Sequence, residues 1–184
     1  MKKITLLFAL SLSVFTMAQS EEKLPYYQIP DYPETYTAGT VAARMIDGLG
    51  YRYYWATEGL RQEDLNYKAS ESGRTSAETI DHLLGLTNFI LNTISKEKRD
   101  KNIKELTFEQ KRKLTLLNIK ETSNILRVSE DLSKFDNDKF PFWNLINGPI
   151  ADALWHCGQV VMLRRASGNP FNSKVSVFRG KLRD

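Results

Sequence analysis

The segment covering residues 150–166, IADALWHCGQVVMLRRA, is apolar almost throughout, and the polar side chains ahead of its arginines are Asp152, His156 and Gln159. At about 100° per residue on an α-helix, these three fall within an arc of roughly 60°. Asp152 and His156 stand four residues apart, so a carboxylate and an imidazole leave the helix on one side and can converge on a single ion. Oxygen and imidazole nitrogen are both ordinary ligands of divalent transition metals. The plain alternative is an arc that faces water. Leu163 in the middle of the arc and Val160 beside it argue against that, because a solvated stripe stays polar. The expectation is an inward-facing arc, where such groups need partners.

His82 is the only other histidine. On a helical wheel it lies roughly 110° from the polar stripe of Asp81, Asn88 and Asn92. It shares its side with Glu78, Gly85 and Phe89, away from the centre of the main apolar stripe, so periodicity alone does not select it as a ligand. Glu78, four residues earlier, is a further candidate carboxylate, but it also closes a capping box with Thr75. Cys157 points about 100° away from His156, which argues against a Cys–His catalytic pair. The sequence carries no nucleophile elbow, phosphate loop or CxxC pair.

Helices must position these groups, and the sequence marks four. The first is predicted over about 38–60, with Val41, Met45, Leu49 and Ala56 among its apolar positions; the cluster YRYYW at 51–55 supplies core bulk. The second opens at the Thr75/Glu78 capping box and runs to about Ser95, and the third opens at the matching Thr107/Gln110 box and extends to about Leu132. Asn147, Gly148 and Pro149 start the fourth, which ends near Ser167 with Gly168 as a left-handed stop. Helices of roughly 20 residues are about 30 Å long and suit a bundle. The connector at 96–106 can span about 36 Å, so an up-down-up-down order is not compulsory.

The expected fold is therefore all-α, a four-helix bundle over 38–184. Residues 19–37, with three prolines and four tyrosines, form an extended arm, and a C-terminal tail follows Gly168 with a short strand at VSVF. Residues 1–18 read as a removable signal: Lys2 and Lys3, an apolar run, and a small residue at Ala18. The run is shorter than the about 20 residues a permanent span needs, and no cysteine follows it to carry a lipid anchor. The remaining 166 residues suit one domain with a real core.

The chain has 26 basic and 22 acidic residues, two of the basic ones in the signal, so the mature chain stands at +2. No run of five like charges suggests a nucleic-acid groove. Cys157 is the only cysteine, so no disulfide forms within the chain, and a small buried side chain is the ordinary reading.

The order of helices and the segments DLNYKASESGRTSAETIDHLLGL and IADALWHCGQVVMLRRASGNP resemble the DinB-like family of metal-binding four-helix bundles. In that family one histidine lies on the second helix and two more stand four apart on the last, followed by a Gly-Gln pair. His82 matches the first, His156 the last, and Gly158-Gln159 the pair, over a resemblance spanning about 41–170. Asp152 stands where the family most often has histidine.

The resemblance thus implies a His82, Asp152, His156 set for Zn, Ni, Fe or Mn. A carboxylate in place of one imidazole partly neutralises the ion and softens its Lewis acidity. Gln159 would orient a ligand histidine or a water. Family relatives include thiol-dependent transferases and isomerases and others assigned as hydrolases, so the resemblance implies activation of water or a thiol. An exported location favours water or another small ligand. The alternative is a non-catalytic helical-bundle binding protein whose metal site has decayed. Surplus apolar surface on the second and fourth helices suggests a homodimer.

Overall fold

A computed structural model of the chain describes residues 23–98, 105–138 and 140–184. The expected signal at 1–18, the start of the arm and the middle of the 96–106 connector lie outside the described residues. The architecture is all-α. Helices α1 (Ala38–Thr57), α3 (Ser76–Ile94), α4 (Phe108–Arg127) and α6 (Ala151–Ala166) are the long ones; α2 (Gln62–Asn66) and α5 (Phe142–Leu145) are single turns. Around the bundle the order is α1, α4, α3, α6, each touching its two neighbours. The consecutive long helices α1 and α3 are therefore diagonal, so simple neighbour-to-neighbour winding is not what this chain does.

Side chains set the helix starts. Thr75 accepts from the Glu78 amide while the Glu78 carboxylate accepts from the Thr75 amide, and Thr107 and Gln110 repeat the exchange. Each pair satisfies two amides that have no partner within the helix. Two boundaries differ from expectation. α4 ends at Arg127 rather than near Leu132, and a 3-10 turn, Ser133–Phe135, follows. There the start of α1 crosses backbone against backbone: a β-carbon on Gly39 would collide with the carbonyl oxygens of Leu126 and Ser129.

The last helix starts earlier than expected, at Phe142, and passes through a π turn, Ile146–Ile150, before α6 begins. Pro149 has no amide proton to give, and Gly148 leaves helical geometry with ψ −107°. At the other end, Gly168 adopts φ +84°, the left-handed stop. The tail then forms a two-residue hairpin, Val175–Ser176 against Lys181–Leu182.

α1 is the most enclosed helix because the arm packs over it. Tyr26, Tyr51, Tyr53, Tyr54 and Trp55 are all buried. The ring of Tyr26 occupies the space left by the missing side chain of Gly50. Its hydroxyl donates to Asp47, a fully buried carboxylate that also accepts from Ser123 and Arg127. A buried charge persists only when paired this way.

At the other end of α1, the buried guanidinium of Arg164 donates to the carbonyls of Trp55, Ala56 and Glu58 at 2.9–3.1 Å. These are among the carbonyls a helix leaves without intrahelical partners. Arg164 therefore bolts α6 to the end of α1. The buried carboxylate of Asp64 locks the same corner, accepting from Arg61, Ser167 and Asn169. Hydrogen bonding from the Arg61 guanidinium, aided by Ser167 and Asn169, holds that carboxyl well below the usual carboxylate range.

Candidate metal centre

The core stripe of α6 is Ala153, Cys157, Val160 and Arg164, all buried. Asp152 and His156 each precede a member of that stripe by one residue, so they flank the core instead of entering it. This corrects the expectation of an inward-facing arc. Gln159 is fully on the exposed side, and the Asp152 side chain is 45% exposed against 12% for His156. The arc lies on the rim of the α3–α6 contact, with one end sheltered and the other open to solvent.

His82 meets it there. α3 turns its buried face, including Ile80, Leu83, Leu84 and Thr87, to the core, and His82 stands at the edge nearest α6 with its side chain 35% exposed. Its Nε2 lies 3.2 Å from Oδ2 of Asp152, and Nε2 of His156 lies 3.4 Å from Oδ1 of the same carboxylate. The two imidazole rings are nearly perpendicular, 87°, with centroids 4.5 Å apart. One ligand atom from each of His82, Asp152 and His156 can be chosen so that all three lie within 4.8 Å of one another. Ligands about 2.1 Å from a tetrahedral ion stand roughly 3.4 Å apart; each His–Asp separation matches this through a different carboxylate oxygen, and the set with one atom per residue is wider.

The second nitrogen of His156 decides the chemistry of the first. Nδ1 lies 2.6 Å from Oε1 of Gln159. An amide oxygen can only accept, so Nδ1 carries the proton and, in the neutral ring, Nε2 presents a lone pair. Nε2 lies 3.4 Å from Oδ1 of Asp152, an ion-pair distance without hydrogen-bond alignment. Imidazole nitrogens of His82 and His156 and a carboxylate oxygen of Asp152 gather at one point, a donor set that suits a divalent transition ion.

Glu78 does not join the group. Its carboxylate accepts from the Thr75 amide at 2.8 Å and from the Thr75 hydroxyl at 3.1 Å. Cys157 is buried on the core side of α6, where burial pushes its thiol up to about 12 against the opposing pull of Arg52. It is neither a ligand nor a partner for His156.

Next to His156 opens a cleft of about 870 Å³. Its walls are largely apolar, from Leu154, Trp155, Met162 and Leu163 of α6 and Ala69 of the α2–α3 loop; Arg74, at the end of that loop, is the one Arg, Lys, Asp or Glu among the described residues that line it. Small-molecule sites have this form, mostly apolar with few polar groups, at roughly 300–1,000 Å³. Sequence reasoning missed Arg74, because a lone arginine in a polar loop carries no periodic signal. Arg164 was legible in principle, since it continues the spacing Ala153, Cys157, Val160 into the core. The chain matches no family model, no curated protein and no solved structure.

Proposed function

We propose that this chain is an exported metalloprotein of the DinB-like kind. In this reading it holds one divalent transition ion, Zn, Ni, Fe or Mn, between α3 and α6 through His82, Asp152 and His156, and hydrolyses a small molecule seated in the adjoining cleft. The observation that carries the proposal is the convergence of two imidazoles and one carboxylate from α3 and α6, with one ligand atom of each within 4.8 Å of the others. Three protein ligands of this type leave coordination positions for water and substrate. A divalent ion bound by such a set supplies Lewis acidity and lowers the pKa of water.

The chain's own residues account for the rest. Asp152 offsets part of the ion's charge and spans the two imidazoles. Gln159 fixes the tautomer and ring plane of His156, so Nε2 is the ligating atom. Arg74 attracts an anionic substituent of the substrate into the cleft, and Trp155 with Met162 covers its apolar part.

The rival reading is a metal-free cluster in a non-catalytic binding protein, with His82 hydrogen-bonded to Asp152 and His156 to Gln159. Metal analysis of untagged protein separates the two. About one equivalent of metal, lost in His156→Ala, supports the metalloprotein. Protein that stays metal-free after equilibration with each of the four ions refutes it. Hydrolysis of small ester and amide probes that follows metal content, and disappears in His156→Ala, tests the catalytic half.

A further inference from the structure

The opposite side of α6 carries a second cavity, of about 290 Å³, divided from the first by Leu154 and Gly158. Its apolar wall comes from Trp55 of α1, Val161 of α6, and Phe171 and Val175 of the tail; Trp55 and Val175 are buried. The charged residues lining it are Arg52 and Arg165, and among the described residues no acidic side chain lines it.

Neither guanidinium forms an ion pair among the described residues. Arg52 donates to the carbonyl of Gly48 in its own helix at 3.0 Å, and Arg165 lies over the ring of Phe171, 5.4 Å from its centroid. Two like charges beside one cavity repel each other. An anion bound between them removes it. Planar guanidinium groups match a carboxylate, and the walls around them have little else to offer a polar ligand.

We propose that this second cavity is a binding site for a small apolar monocarboxylate, its acid group held by Arg52 and Arg165 and its hydrocarbon part lying against Trp55, Val161, Phe171 and Val175. At about 290 Å³ the space lies at the lower edge of the usual small-molecule range, roughly 300–1,000 Å³, which calls for a short chain or a single ring. The inference does not depend on the metal centre, because no candidate ligand lines this cavity.

Octanoate, octanol and octylammonium, titrated into the full chain and followed by tryptophan fluorescence and calorimetry, test it. Octanoate is expected to bind at least about tenfold more tightly than octanol, with octylammonium weakest. That preference is expected to collapse in Arg165→Gln, a surface change that leaves the core untouched, and in Arg52→Gln. It is expected to persist in Arg74→Gln, which alters only the other cleft, and in His156→Ala. Failure of octanoate to bind overturns the proposal, as does equal binding of octanol. So does an octanoate preference that survives in both Arg52→Gln and Arg165→Gln, or one that is lost in Arg74→Gln.

Discussion

Oδ2 of Asp152 lies 3.2 Å from Nε2 of His82, a contact across the α3–α6 interface between residues 70 apart in sequence. The same carboxylate reaches His156 one turn along its own helix. Asp152 thus connects a local pair, set by helical periodicity, to a distant one, set by packing. The candidate centre exists only where both conditions are met.

Gln159 holds Nδ1 of His156, leaving Nε2 on the side of the carboxylate. In the proposed metalloprotein, Gln159→Leu keeps all three candidate ligands but frees the ring to turn, so metal affinity is expected to fall by roughly 10- to 100-fold without being abolished. Asp152→Ala removes a candidate ligand outright and is expected to lose more. Competition against a chromophoric chelator at fixed pH reads both. Equal affinity of Gln159→Leu and the parent chain would show that the amide has no part in orienting the imidazole.

Arg164 matters for stability instead of chemistry. Arg164→Met keeps much of the side-chain volume but leaves the carbonyls of Trp55, Ala56 and Glu58 without their donor. Each unsatisfied buried acceptor costs about 1–3 kcal/mol, so a total loss of about 3 kcal/mol or more is expected in urea unfolding. A change within about 0.5 kcal/mol, the range of ordinary surface substitutions, would mean the end of α1 finds other partners.

The Cys157 thiol is raised by burial from 9.0 to about 12. Between these values the unfolded chain has released the proton and the folded chain has kept it, so the folded state binds more protons. Stability must then decline as pH rises from about 9 towards 12, with a slope of about 2.3RT per pH unit for this group. Burial shifts the phenols of Tyr26 and Tyr53 in the same direction, steepening the decline above pH 10. Native protein at pH 8 should resist thiol reagents and react on unfolding. Cys157→Ala should remove the first part of the alkaline decline; an unaltered profile would contradict the burial argument.

The sequence made the helices legible because their signals are local. Thr75 with Glu78, Thr107 with Gln110, and Gly168 all act within a turn of the boundary they set. The end of α4 was not legible, since it is imposed by the backbone of Gly39 from 87 or more residues away in sequence. At the centre, the four-residue spacing of Asp152 and His156 showed the local half of the group. His82 could not be chosen from periodicity, because it sits at the edge of its apolar stripe; the family resemblance is what pointed to it. Packing of α3 against α6 turns that edge into a meeting point. Asp47 likewise gave no sign of being buried, as its partners come from two distant segments, Tyr26 from the arm and Ser123 and Arg127 from α4.

The π turn at Ile146–Ile150 takes in one residue more than an α-turn would, and this sets the angular phase of everything after it. Shortening that turn by one residue would advance α6 by about 100°. Ala153 and Cys157 would then occupy the places of Asp152 and His156, bringing sulfur to the rim of α3 and sending the imidazole outward. Whether nitrogen or sulfur confronts His82 is thus decided by backbone phase upstream of α6, and a single insertion or deletion there could exchange one donor set for another with every residue of the helix unchanged.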